Sequence, residues 1–304
     1  FLAKMSLPVI DFETADFSTL PRIFSEYGFI RIDNVLQEEE LNEMQAEMDK
    51  IVDGMNIDEH PKSIFSTYDD KKHASDKYFL ESVDKIRFFY EADAFDEKGN
   101  LQVDKHRALN KVGHALHWLN PVFKKYSFGE KIKKIIKSMN MIEPQVVQSM
   151  YIFKQPKIGG AVTDHVDATF LQVDPMDHVV GIWMAVDEAT VENGCLWFIP
   201  GSHKKTKLDY RFVRTNSDNP SDPLLKFTGE RPVYDQSKFV AVPVPRGSLV
   251  LIDGLVVHKS EPNTSTKSRH AYTFHIADAH GTKWMEDNWL QETPDYKFPN
   301  LYGN

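Results

Sequence analysis

The chain has 304 residues, 41% of them hydrophobic and 12% aromatic, which is enough apolar material for one large core. A formal net charge of -9, with no basic stripe carrying interleaved aromatics, argues against nucleic acid as a partner. No apolar run of about eighteen residues is present, so membrane insertion is not expected; the single cysteine, Cys195, and the lack of a recognisable signal peptide or SKL-type ending predict a cytoplasmic protein.

Residues 1–143 read as largely helical. Helical periodicity is found in LPRIFSEYGFI from Leu20, and again from Leu36, where Leu41, Met44, Met48, Ile51 and Val52 recur at the spacing of one helix face. The polar stretch from Asp58 to Asp76 predicts a loop, and a second helical stretch runs from His114 to Met139. From Pro144 to residue 280 the period shortens to two. Strands are predicted at Val146–Phe153, Val179–Val186, Leu196–Ile199, Phe239–Pro243, Leu249–Asp253 and Ala271–Ile276. Strand pairs separated by long connections fit a mainly β fold with flanking helices. Its core is a double-stranded β-helix (jelly roll, cupin-like) in a single domain, with 281–304 as a C-terminal tail. Gly194, Pro200 and Gly201 read as turn residues.

Within the β region, GAVTDHVDATF places His165 and Asp167 two apart, on one face of an extended segment. His258 follows in GLVVHKS. Two imidazoles and one carboxylate on one side of a metal leave other positions open, the arrangement of non-haem iron(II) oxygenases. HxD alone is common in a chain with twelve histidines; the distal His and Arg269 give it weight. EPNTST reads as a hairpin turn that sets His258 directly opposite Arg269, with Ser260 on the same face. An arginine fork there suits the far carboxylate of a dicarboxylate whose other end chelates the metal, and Ser260 adds a hydroxyl. No HExxH pair or cysteine cluster points to zinc.

The stretches KIRFFYEADAFDEKGN, NKVGHALH, VVQSMYIFKQP, HVDATFL, GIWMAVDEATVENGCLWFIPGSH, RGSLVLIDGLVVHKS and SRHAYTFH together resemble the phytanoyl-CoA dioxygenase family. The resemblance implies a distorted jelly roll that binds Fe(II) through His165, Asp167 and His258, with 2-oxoglutarate as co-substrate, O2 as oxidant and ascorbate as an auxiliary. It further implies that Lys111, Met150, Trp183, Arg269 and Ser260 contact 2-oxoglutarate. Read alone, Met150 and Trp183 are apolar core and Lys111 a solvated charge. Val166 departs from the family, where a polar residue is common at the middle of HxD.

The activity so implied is oxidative decarboxylation of 2-oxoglutarate to succinate and carbon dioxide, coupled to hydroxylation of a small-molecule substrate, an acyl-CoA or lipid-like compound being one class. Relatives that halogenate lack the carboxylate, so Asp167 favours hydroxylation. The other reading of the same residues is a non-catalytic jelly-roll module that binds metal and 2-oxoglutarate, since fold alone does not confer function. The insert from His203 to Lys238 carries Lys204, Lys205, Lys207, Arg211 and Arg214, readable as a seat for an anionic substrate or as a solvated face.

Overall fold

The computed structural model describes residues 6–64, 77–217, 219 and 221–304. Its strands in chain order are β1 (Val9–Asp11), β2 (Phe29–Asp33), β3 (Ile86–Tyr90), β4 (Leu109–His114), β5 (Pro144–Ile152), β6 (Val162–His165), β7 (Val173–Asp174) and β8 (Val179–Ala185). They continue with β9 (Leu196–Phe198), β10 (Arg211–Arg214), β11 (Leu225–Thr228), β12 (Val240–Val242), β13 (Leu249–Asp253), β14 (His258–Ser260), β15 (Ala271–Asp278) and β16 (Lys283–Trp284). The major sheet has the order β1-β2-β13-β8-β15-β5-β4-β3, and the minor sheet the order β12-β9-β14-β6. Non-consecutive neighbours in two facing, mostly antiparallel sheets are the jelly-roll arrangement.

Alternation along the strands sorts side chains between two cores. Ile30, Ile182, Met184, Leu249, Leu251, Tyr272 and Phe274 face the helices. Phe29, Trp183, Val250 and Ile252 face the minor sheet, meeting Leu196, Phe198 and Val242. Phe29 and Phe198 stack across the gap at 4.2 Å between centroids. The helix Glu38–Asp53 buries Leu41, Met44, Met48 and Val52 against the outer face. At its start the Glu40 carboxylate accepts from the Gln37 amide, and three glutamates in the first turn oppose the positive end of the helix dipole.

Four strands of the major sheet come from the part read as largely helical. The helix in LPRIFSEYGFI stops at Tyr27: Gly28 takes φ 79°, donates to the Phe24 carbonyl, and turns the chain into β2. The stretch from His114 begins as the end of β4 and then breaks into Leu116–Leu119, Pro121–Ser127 and Glu130–Ser138. Asn120, whose side chain caps Val122 and Phe123 ahead of Pro121, and Gly129 set those breaks. Of the loop expected from Asp58 to Asp76, residues 65–76 lie outside the described residues. In the insert from His203 to Lys238, β10 and β11 form a hairpin.

The hairpin expected between His258 and Arg269 does not form. β14 pairs with β6 and β9 in the minor sheet, whereas β15 pairs with β5 and β8 in the major one, so residues 261–270 cross between sheets. A polar, proline-containing stretch is compatible with either connection, and strand pairing of short segments is decided by their partners. Among the described residues no helix is long and apolar enough to cross a membrane.

Candidate metal centre

In the minor sheet His165 and His258 are ladder partners, and their rings lie 4.3 Å apart. His165 Nδ1 is 2.8 Å from the Thr163 carbonyl and His258 Nδ1 is 3.0 Å from the Val256 carbonyl. A carbonyl only accepts, so both Nδ1 atoms carry hydrogen and both Nε2 lone pairs are left for a metal.

Asp167 arrives by a different route from the one expected of a continuous strand. β6 ends at His165, and Asp167 opens the one-turn 3-10 helix Asp167–Thr169. Val166 between them keeps an extended backbone (φ -120°, ψ 143°), so residues 165 and 167 still face one side while Val166 packs with Phe239 and Val257. Asp167 Oδ1 lies 3.5 Å from His165 Nε2 and 3.6 Å from His258 Nε2. Candidate ligand atoms of the three residues all fall within 4.8 Å of one another.

Electrostatics favour the ligating protonation states. Burial, then the neighbouring His165, pushes His258 down to about 4, so its ring is neutral at neutral pH. Burial opposes ionisation of Asp167, but the neighbouring His258 and His275 rings and the hydrogen bond from His275 outweigh it and hold the carboxyl well below its usual range. His275, on β15, was not singled out from the sequence: its Nε2 donates to Asp167 Oδ2 at 3.1 Å. The available signal was parity, since residues 269, 271, 273 and 275 share a face once β15 is placed.

Ladder partners share a face, so Gly113, Met150, Thr273, Trp183 and Val250 form one row across the major sheet. Gln148, His275, Gly181 and Ile252 form the next row, beside Asp167. Arg269 lies just before β15, at the crossover. It is 2% exposed, donates through Nη2 to Ser260 Oγ at 3.3 Å, and places its guanidinium 5.1 Å from the Trp183 ring centroid. Ser260 Oγ in turn donates to the Gly194 carbonyl. Arg269 Nε and Nη1 have no hydrogen-bond partner among the described residues. Burial pushes the group down to about 10, still cationic at neutral pH. A buried cation with two unanswered donors fits an anionic ligand.

Lys111, which read alone as a solvated charge, is 4% exposed. Its Nζ lies 3.5 Å from Met150 Sδ and over the Phe79 and Phe89 rings, and burial pushes it down to about 7. Met150 is half-buried beside it, and Trp183 is buried between the sheets. At the outer side of the metal residues, Phe170 meets the His165 ring edge-on and continues into Phe212, Phe227 and the stacked Tyr210. Arg231 and Gln236 of the insert both donate to Asp164, next to His165. A separate cleft of about 670 Å³, walled by Arg107, Gln155, Asp187, Thr190 and Lys267 among others, includes none of the triad and not Arg269.

The profile of the phytanoyl-CoA dioxygenase (PhyH) family matches residues 24–271. Phytanoyl-CoA dioxygenase domain-containing protein 1 homolog of Caenorhabditis briggsae is 63% identical over 94% of this chain and 99% of its own. Phytanoyl-CoA dioxygenase domain-containing protein 1 of Bos taurus is 48% identical over 92% and 96%. Among solved structures, the epimerase SnoN in complex with Fe3+, alpha ketoglutarate and nogalamycin RO is similar at a TM-score of 0.62, with 14% identity over 93% of this chain and 92% of that one. EctD from S. alaskensis with 2-oxoglutarate and 5-hydroxyectoine gives a TM-score of 0.61, with 14% identity over 93% and 85%. With a family profile spanning most of its length and relatives this close in sequence, the chain belongs to the phytanoyl-CoA dioxygenase family.

Proposed function

We propose that this chain is an iron(II)- and 2-oxoglutarate-dependent dioxygenase that converts 2-oxoglutarate to succinate and hydroxylates a small-molecule substrate. The observation that carries the reading is the pairing of two features in one inter-sheet space. His165, Asp167 and His258 present ligand atoms to a common point, and Arg269 holds two unanswered donors in a buried setting. His165, Asp167 and His258 would hold the metal; Arg269 with Ser260 would hold the far carboxylate of 2-oxoglutarate, and Lys111 with Met150 and Trp183 would line the remainder of its seat.

When bound, iron and 2-oxoglutarate supply the activation of dioxygen. The protein's own share is positional. The two backbone carbonyls fix the imidazole tautomers, the Trp183 ring lies beside the guanidinium, and the Phe79 and Phe89 rings keep water from Lys111. The aromatic run from Phe170 to Tyr210 beside His165 supports an apolar portion in the substrate, in line with an acyl or lipid-like class. Of the cationic cluster in the insert, Arg211 is held bidentately by Asp287 and Arg214 donates to the Trp289 carbonyl, which leaves Lys204, Lys205 and Lys207 exposed for an anionic group.

Calorimetric titration of 2-oxoglutarate into the Mn(II)-loaded protein under nitrogen tests the seat. Saturable binding that needs the metal and is lost in Arg269→Ala supports the reading; binding indifferent to metal, or none, sinks it.

A further inference from the structure

We propose that His275, a residue without an assigned role, is a positioning residue that holds Asp167 as a one-oxygen metal ligand and so keeps room for the co-substrate. The inference rests on the oxygenase reading above. Asp167 uses its two oxygens differently: Oδ1 faces the Nε2 atoms of His165 and His258 at 3.5 and 3.6 Å, and Oδ2 turns away to His275 Nε2 at 3.1 Å. An ionised carboxylate can only accept, so His275 Nε2 carries the hydrogen. The other ring nitrogen, Nδ1, lies 3.2 Å from Gln148 Nε2, and the amide donates to it. Gln148 thus sets the tautomer from behind, and the ring sets the carboxylate.

Gly181 provides the space for this contact. It is the ladder partner of His275. A Cβ at position 181 would sit 3.2 Å from Asp167 Oδ2 and 3.4 Å from His275 Nε2, and Ile252 closes the third side at 3.4 Å. Its backbone φ lies outside the left-handed region, so the need for glycine here is room and not conformation.

Carboxylates bind cations through one oxygen or both. With Oδ2 engaged by His275, Asp167 offers Oδ1 alone, and the positions that a two-histidine, one-carboxylate centre leaves open stay available to a chelating keto acid and dioxygen. Released from His275, Asp167 can turn both oxygens to the metal and compete with 2-oxoglutarate for a position. The metal would still be held by three residues. A histidine that merely filled space on β15 would give no such separation between metal and co-substrate affinity.

The test is anaerobic titration of the folded protein with Co(II) and then 2-oxoglutarate, followed by visible ligand-field absorption and calorimetry. For His275→Phe the expected result is retained Co(II) binding, an altered ligand-field spectrum and 2-oxoglutarate affinity lower by about 10- to 100-fold. His275→Gln, whose amide can again donate to Oδ2, restores co-substrate affinity. Gly181→Ala, which displaces the contact with His275 still present, repeats the selective loss and decides the matter alone if circular dichroism shows His275→Phe unfolded. Wild-type 2-oxoglutarate affinity in His275→Phe and Gly181→Ala, or a loss of metal and co-substrate in equal measure, overturns the inference and leaves the oxygenase reading standing. A wild-type protein that takes up neither Co(II) nor 2-oxoglutarate sinks that reading itself, and the inference with it.

Discussion

His165 and His258 face each other as ladder partners on two strands of the minor sheet, and each turns Nδ1 onto the carbonyl of the residue two before it. The backbone of each strand therefore chooses the tautomer of its own ligand, and the pair presents two lone pairs before any metal arrives. Asp167 completes the set from a turn held by the same extended Val166 backbone.

Burying neutral imidazoles makes the metal-free protein sensitive to acid. Burial holds His117 at about 3 and His258 at about 4, and His114 well below its usual value. Between about pH 6.5 and pH 4 the unfolded chain binds protons at these positions and the folded chain does not, so stability falls as pH falls, by roughly 3 kcal/mol for His258 alone. Urea denaturation at a series of pH values, without metal, checks this; a midpoint unchanged between neutral pH and about pH 4.5 would contradict it.

Lys111 ties co-substrate binding, rather than folding, to pH on the alkaline side. Burial alone pushes it down to about 7, so above that value its neutral form gains ground in the free protein. If 2-oxoglutarate sits beside it, binding recharges the amine, takes up a proton, and weakens as pH rises from about 7 towards 10. Calorimetry in two buffers of different ionisation enthalpy measures the uptake at about pH 8. Lys111→Met is expected to bind 2-oxoglutarate without it.

Arg269 is expected to act on co-substrate and not on metal. Arg269→Ala removes the buried fork and should cost about 2–5 kcal/mol in 2-oxoglutarate affinity while leaving metal affinity close to wild type. Arg269→Lys keeps the charge without the planar fork, so it should recover only part of the loss. Equal losses of metal and 2-oxoglutarate would place Arg269 in a structural role.

At the far side of the sheet, His117 joins Ser149 through Nδ1 and Tyr296 through Nε2, 2.9 and 2.8 Å away. Tyr296→Phe strands a buried ring nitrogen and should destabilise by about 1–3 kcal/mol with co-substrate binding unchanged. A drop in 2-oxoglutarate affinity at full stability would show the C-terminal tail to be coupled to the site.

The triad was legible because metal ligation demands particular residue types at short spacing, and HVD with a distal His on an apolar strand supplies them. Arg269 and Ser260 were found through a hairpin that does not exist; they meet because residues 261–270 carry the chain from one sheet to the other and the long side chain reaches back. β4 was hidden because Lys111 and Gly113, the residues on its site-facing side, have low strand preference. His275 and Gly181 were silent for a related reason: their value lies in facing each other and Asp167, and that register exists only once β8 and β15 are paired. From Pro144 onward β5, β8, β9, β12, β13 and β15 were readable since β-branched and aromatic residues recur there, whereas β7, β10, β11 and β16 are only two to four residues long, too short to show a period.

Succinate formation from 2-oxoglutarate, measured on purified protein with iron(II) and ascorbate, tests the central claim most directly when wild type is set beside His165→Ala/Asp167→Ala. Turnover in the wild type that the double variant loses is the expected result. No turnover in either protein across an acyl-CoA and lipid panel, with iron and 2-oxoglutarate demonstrably bound to the wild type, would contradict it and make the centre a binding site without catalysis.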